Sequence, residues 1–476
     1  MSTVAGLLAD YVVGAEPAGD TVRHGAARAF LDTLTVAVAG RAEPTTTAAS
    51  TWATATMATN GGPAARDWTT GARLATCEGA FVNGVASHAL DLDDVSMAMW
   101  GHPSTLIVPV VVALGEAGGA NVGECLDAYA VGLQVDVSLS AGFDLVDHYA
   151  RGWHASVTVG LVGAVAAGSR LLGLAPGQTR NALGLAVSMA SGSRENFGTM
   201  TKPMHIGFAA SSAVRACQLA AAGVDASDTA FEGTLGFFAL YGSGPHDAGA
   251  VAVALEVPPA AALATINTKC YPCCYQTHRA IDAALDLHAR LDADEVAGIT
   301  RVVVTVNPGS DNSLIHPFAT TPTQARFCMR YVVASVLLHG VVDFATFEPE
   351  RVLDPAVQAF MRRVELAHNT VPPFGDPAYT LDYAALQAIT SDGVAHEATC
   401  AVPRGNEERP LTDEELLAKA DACLTYARLR PGASGLVTIL ADPETSAAAL
   451  VDALRALDEP QVDTVPAPTH PERTNP

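Results

Sequence analysis

The chain has 476 residues, 49% hydrophobic and 16% charged, with a formal net charge of −23 and a pI near 4.8. A field of that sign repels nucleic acid and anionic membrane, and an anionic ligand would need its own local positive charge. Nine cysteines without a disulfide-framework spacing, an N-terminus without a basic n-region, and no apolar run long enough to span a bilayer together predict a cytoplasmic protein in a reducing compartment.

Residues 1–255 read mainly as helices. Residues 23–40 carry apolar side chains at helical spacing and stop at Gly40, and 78–90, 104–117, 124–139, 154–172 and 176–191 continue the pattern. Pro176-Gly-Gln-Thr is a start signal. Many contact faces are Ala and Gly, as in 160–168, which lets helix backbones approach closely. A glycine-bounded loop, 198–207, is expected to precede a further helix over 209–222. The texture changes at Pro258-Pro259. Residues 299–306 alternate and are β-branched, which predicts a strand closed by the turn Asn307-Pro-Gly. Residues 351–371 look helical, and 362–367, 379–386 and 396–402 suggest further strands. Helix returns over 411–457, and 459–476 is Pro-rich, polar and reads as disordered. The expectation is a mainly α protein: a helical domain over 1–257 and 406–458, an α+β domain over 258–405, and a disordered tail over 459–476. The small charged fraction also suggests surface buried in an oligomer.

Lysine is almost absent. Lys202, Lys269 and Lys419 stand against 24 arginines. Arginine stays charged, whereas the pKa of lysine moves on burial, so a retained lysine points to a required point charge or proton. Lys202 and Lys269 lie in unusual contexts, Thr201-Lys-Pro-Met-His205 and Lys269-Cys-Tyr-Pro-Cys-Cys274. Lys419, in the charged helical stretch 412–420, has no motif around it and reads as a chance survivor.

Five constellations carry polar chemistry. His88-Ala-Leu-Asp-Leu-Asp-Asp94 followed by His102-Pro-Ser104 offers carboxylates and imidazoles that suit either a divalent cation or helix caps. Asp91 and His102 are the candidate proton-handling pair, because a carboxylate raises imidazole basicity and fixes its tautomer. His154, in Arg151-Gly-Trp-His154, opens an apolar helix and is either functional or a satisfied core residue. In 198–207, Lys202 and His205 combine with backbone donors and a helix start into a carboxylate or phosphate cradle without the Walker order. Cys270, Cys273, Cys274 and His278 have the spacing of a weak zinc, iron–sulfur or thiol motif, or are simply buried thiols at a turn. Tyr331 follows Phe327-Cys-Met-Arg at a helix start.

Taken together, the motifs Asn83-Gly-x-x-x-His-x-Leu-Asp-Leu-Asp-Asp94, His102-Pro-Ser, Gly152-Trp-His154, Gly198-Thr-Met-Thr-Lys-Pro-x-His-x-Gly207 and Tyr271-Pro-Cys-Cys-x-x-x-His-x-Ala-Ile-Asp282, with Tyr331, resemble the MmgE/PrpD superfamily over roughly residues 10–455. The resemblance implies a helical domain with a smaller α+β lid, a site between them, a homodimer, and no metal, iron–sulfur cluster or other cofactor. It implies 2-methylcitrate dehydration, cis-aconitate decarboxylation or iminodisuccinate epimerisation as the reaction. Carried over by motif, the catalytic residues are Asp91, His102, His154, Lys202, Lys269 and Tyr331. Ser104, His205, Cys274 and His278 are expected to line the substrate. The chain departs from decarboxylase-like members in one extra residue between Asp91 and His102, in Val95 for a hydroxyl side chain, and in Cys274 for a histidine. Phe208 replaces an arginine common in bacterial members. These changes favour dehydration of a small di- or tricarboxylic acid, with an epimerase or decarboxylase as alternative and a non-catalytic carboxylate binder as a third reading. In the expected mechanism Lys202 and Lys269 approach the substrate from opposite sides of a cleft, Asp91 orients His102, and His154 or Tyr331 serves the other face.

Overall fold

The computed structural model describes residues 3–57, 61–375 and 382–458. The tail 459–476 and residues 376–381, which include 379–381 of the expected strand 379–386, lie outside them. The architecture is mainly α with a smaller α+β part, as the sequence predicts. The helices Asp20–Ala39, Thr76–His88, Ser104–Gly118, Val122–Ser140, Gly160–Leu171 and Pro176–Met189 fall where the apolar periodicity puts them. One large core joins them to the C-terminal helices Asp413–Tyr426, Ala433–Leu440 and Ala447–Ala456.

The α+β part has its own core, drawn from residues between Tyr271 and Ala398. Its four-stranded sheet places Ile299–Val306 between Val364–His368, which is parallel to it, and Ala384–Thr390, which is antiparallel; Ala395–Cys400 closes the other edge. The parallel pair needs a crossover, and the chain supplies one that includes the helix Met329–His339. The helix His278–Arg290 buries Ala280, Ile281, Ala283, Ala284 and Leu287, an i, i+1, i+3, i+4, i+7 stripe, in the same core.

Two expectations are corrected. Residues 351–371 are not one helix: Pro349–Val352 and Pro355–Met361 are short helices, each started by proline, and the strand Val364–His368 follows. Lys202 and His205 do not sit on a loop, because the helix Thr201–Ala221 begins eight residues earlier than expected. Pro203 falls in its first turn, where no intrahelical N–H is needed and the ring is tolerated. A single turn of helix thus aims both side chains inward.

Small residues set the helix spacing. A Cβ on Gly132 would meet the Gly163 carbonyl oxygen at 2.6 Å and the Ala167 methyl at 2.8 Å. Asp136 lies on the same helix, is fully buried and accepts the Gly163 N–H at 2.9 Å. Burial pushes its carboxyl pKa well above the usual range. Among the described residues no helix is long and apolar enough to cross a membrane. Gly132→Ala is expected to lower stability by about 1–3 kcal/mol through this overpacking, read as a lowered melting temperature in calorimetry.

Candidate active site

The site is built around a reversal of the chain after the helix Thr76–His88. Asp91 has φ of 53°, in the left-handed region that few residues other than glycine adopt. Aspartate tolerates it better than most. This turn sends the Asp91 carboxylate one way and the Asp93 carboxylate another.

Asp91 meets both Lys202 and Lys269. Lys202 Nζ lies 2.6 Å from Oδ1 and Lys269 Nζ 3.3 Å from Oδ2, while Lys269 also donates to the Asp91 carbonyl at 2.7 Å. Lys202 reaches this point from its helix. Lys269 reaches it because Ile266–Asn267 pairs antiparallel with Val95–Ser96, which ties the segment before Lys269 to the aspartate loop. The ammonium groups therefore come from opposite sides of one carboxylate, and both are buried.

Asp93 faces two histidines. His88 Nδ1 is 2.8 Å from Asp93 Oδ2, and His102 Nδ1 is 3.1 Å from the same oxygen and 2.8 Å from the Asp94 carbonyl. Only acceptors surround the two Nδ1 atoms, so each carries its proton there. His88 Nε2 then accepts from Lys202 Nζ at 2.7 Å. His102 Nε2 is left as a lone-pair acceptor, the form required of a base. The expected Asp91–His102 pair is thus corrected: Asp93 orients His102, and Asp91 holds the lysines.

The charges of this cluster are set by competition between burial and neighbours. Burial alone would raise the Asp91 pKa, but the ammonium groups of Lys202 and Lys269 outweigh it and hold the carboxyl well below its usual range. Burial likewise opposes ionisation of Asp93, and the adjacent His88 and His102 bring it well below the usual value. Burial lowers His88 to about 4 despite Asp93, and lowers His102 as well. Burial lowers Lys269, yet Asp91 and Asp93 leave it raised overall. At neutral pH the site holds ionised carboxylates, ammonium groups and neutral imidazoles.

A second histidine pair stands beside the first. His154 caps a short helix, its ring 6.1 Å from that of His88 and edge-on to Phe197 at 5.0 Å. Its Nδ1 lies 3.3 Å from His205 Nδ1, so one of the two must donate. His154 Nε2 is buried and has no partner among the described residues. Burial takes His154 well below and His205 to about 4.

The other expected site residues are placed differently. Ser104 is fully buried at its helix start; its hydroxyl donates to Asp94 and lies 2.6 Å from the Tyr129 hydroxyl, so it supports the loop from behind rather than lining a substrate. Tyr331 is buried in the α+β core, with its hydroxyl donating to the Thr346 carbonyl and its ring against Phe347. In this structure its hydroxyl is engaged there and not with the Asp91–Lys202–Lys269 cluster. His278 is fully buried between Tyr271 and Tyr275, and burial lowers its pKa to about 3. Its Nε2 lies 3.4 Å from the Cys273 carbonyl, and it is not among the walls of the cleft at His102. Phe208 is half-exposed and stacks on Phe81, away from the carboxylate chemistry expected of its position. His88 and Asp93 are the members of the site that the sequence reading left out of its residue assignments, although both stand in the quoted motif.

A cleft of about 300 Å³ opens onto His102, with Val95, Met97, Trp100, Tyr149 and Cys274 among its walls. Val95 and Cys274, two of the departures from decarboxylase-like members, therefore face the same space as the proton-handling imidazole. Between Asp91 and His102 the chain forms a loop closed by the antiparallel bridge Ser96–Gly101, whose Trp100 has φ of 50°. His88, Asp91 and His102 bring ligand atoms within 4.8 Å of one another. The Lys202 ammonium, however, already uses His88 Nε2 and Asp91 Oδ1, and its charge opposes a cation there. The thiols do not form a ligand set either: Cys270 donates to the Arg404 carbonyl and Cys273 contacts the Thr277 hydroxyl.

Buried carboxylates, imidazoles and ammonium groups thus converge behind His102, which lines the cleft. Residues 6–248 match the MmgE/PrpD N-terminal domain and residues 271–429 the MmgE/PrpD C-terminal domain. The chain belongs to the MmgE/PrpD family and is a lyase. It is 30% identical to the cis-aconitate decarboxylase of Mus musculus over 385 residues, 77% of this chain and 76% of that protein. It is 29% identical to the Homo sapiens cis-aconitate decarboxylase over 73% of this chain and 72% of that protein. A 2-methylcitrate dehydratase of Cupriavidus necator is 27% identical over 162 residues, 29% of this chain and 30% of that protein.

Because burial lowers the His102 pKa from 6.5, its neutral, proton-accepting form persists to lower pH than an ordinary imidazole allows. The acid limb of kcat/KM is expected to lie below pH 6.5, and a pH–rate profile of the free enzyme checks this.

Proposed function

We propose that the protein is a cofactor-independent lyase that removes water from a small tricarboxylic acid through a carbanion or enolate next to a carboxylate. The observation that carries this reading is the presence of two separate histidine systems at one cluster. His102, oriented by Asp93, has a free Nε2. His154, coupled to His205, has an unpartnered buried Nε2. Dehydration needs a base at carbon and an acid at the leaving hydroxyl, and two neutral imidazoles in different environments supply both after one proton has moved.

In this reading His102 takes the proton at carbon and Asp93 stabilises the imidazolium that forms. The negative charge that develops on the substrate carboxylate is stabilised by Lys202 and Lys269. Each ammonium has three donors. Lys202 directs two of them at Asp91 and His88, and one remains for substrate. Charge-assisted hydrogen bonds of this kind contribute about 1.5–3 kcal/mol each. The departing hydroxyl takes its proton from the His102 imidazolium, which returns to the neutral form as water leaves, and His154 Nε2, held through His205, hydrogen-bonds that hydroxyl.

Decarboxylation of a cis-aconitate-like acid is the second reading. It is favoured by the similarity to cis-aconitate decarboxylases over about three quarters of the chain. Val95 and Cys274 in the cleft wall weigh against it. Proton NMR of the enzyme with citrate-, methylcitrate- and aconitate-type acids in deuterated water separates the two: an alkene from a hydroxy acid means dehydration, and loss of a carbon means decarboxylation. His102→Gln is expected to reduce turnover about 10²–10⁴-fold with the fold retained. Near-normal turnover in that variant would remove His102 from the chemistry.

A further inference from the structure

Lys419 carries no motif, yet its ammonium ends at the active-site loop. It lies on the helix Asp413–Tyr426, far along the chain from the site. Nζ donates to the Leu92 carbonyl at 3.0 Å and sits 2.6 Å from Asp32 Oδ1, on the helix Asp20–Ala39. Leu92 stands between Asp91, which holds the two site lysines, and Asp93, which holds His102. Its side chain is pinned as well, in a small cluster with Val36, Ala39, Leu90 and Cys423.

The loop has reason to need such a holder. Asp91 is in the left-handed region, which costs an L-residue about 1–2 kcal/mol and persists only where the surroundings over-determine it. The carbonyls of Asp91 and Leu92 are each taken by a lysine, Lys269 and Lys419. Asp32 is buried and has little reason to be an acid at this depth except to keep the Lys419 ammonium in place. We propose that Lys419 is a positioning residue: anchored by Asp32, it fixes the Leu92 carbonyl and thereby the directions of the Asp91 and Asp93 carboxylates. It acts through Asp93 on His102, and this proposal rests on the proton-handling role given to His102 above.

The test uses the full chain labelled with ¹⁵N-histidine and the variant Asp32→Leu/Lys419→Met, which replaces the buried pair by apolar side chains. Such replacement is commonly neutral or stabilising for the fold. Expected are a melting temperature close to that of the parent, loss of the single Nδ1–H tautomer of His102 in ¹⁵N–¹H correlation spectra, and kcat lowered about 10-fold or more with KM within about threefold. A well-folded double variant that keeps both the tautomer and kcat overturns the proposal, because Lys419 would then only neutralise Asp32. Asp32→Asn covers the case in which the double variant does not fold. It removes the charge that anchors Lys419 and should loosen the tautomer and lower kcat, and a folded Asp32→Asn variant that keeps both overturns the proposal. The tautomer is read without substrate, so a parent enzyme that turns over no polycarboxylate would fail the functional reading while the role of Lys419 is still decided.

Discussion

Everything at the site depends on a single buried carboxylate facing two ammonium groups. Asp91 is almost completely inaccessible, and an isolated ionised carboxylate there would be strongly disfavoured. Two lysines make it stable, and the same contact fixes three remote segments: the loop after the helix Thr76–His88, the first turn of the helix Thr201–Ala221, and the segment entering the α+β core. Removing one partner of such a pair typically costs about 3–5 kcal/mol, because the survivor keeps its desolvation penalty. Substitution at Lys202 or Lys269 therefore disturbs folding as well as chemistry, whereas His102, at the cleft, reports more purely on chemistry.

The choice of lysine over arginine follows from the geometry. Lys202 Nζ touches His88 Nε2 and Asp91 Oδ1 from one nitrogen, at 2.7 and 2.6 Å. A tetrahedral ammonium can direct its three donors at three unrelated acceptors, while a planar guanidinium spreads its donors in a fixed fork. In a chain with 24 arginines the three lysines are kept where a compact charge must fit a crowded acceptor set, and all three contact residues 91 or 92. The negative field of the whole molecule is thereby offset locally, where an anionic substrate has to enter.

Much of the helical architecture was legible because apolar periodicity and helix-start residues agree with each other. The helix Thr201–Ala221 was shortened in the sequence reading because Gly198, Pro203 and Gly207 look like breakers; Pro203 escapes that role only by its position in the first turn. The composition of the site was legible as well, since the lysines, the histidines and the aspartate run stand in recognisable contexts. Its pairing was not. Which aspartate faces which partner depends on the left-handed backbone at Asp91, and linear spacing carries no sign of φ. Lys419 was invisible for the opposite reason: its partners Asp32 and Leu92 are hundreds of residues away, so no local pattern surrounds it. Tyr331 is a motif position whose hydroxyl meets a backbone carbonyl in the second core, a partner that local spacing also does not show.

The cleft wall also limits where protons can travel. Burial pushes the Cys274 thiol up to about 11 and the Tyr149 phenol up to about 12, and the phenol is engaged with Ser313. Neither group donates or accepts readily near neutral pH. Val95 offers no proton at all. A histidine at position 274 or a hydroxyl at 95 would each add a titratable or hydrogen-bonding group to that wall, within the space that His102 faces. His102, Arg279 and Asp382 are the side chains that bring an imidazole, a guanidinium and a carboxylate to this space. Under the proposed reading, the imidazole that moves the proton and the imidazole that meets the leaving hydroxyl both belong to the helical side of the cluster, beside Asp93 and the lysine-bound Asp91.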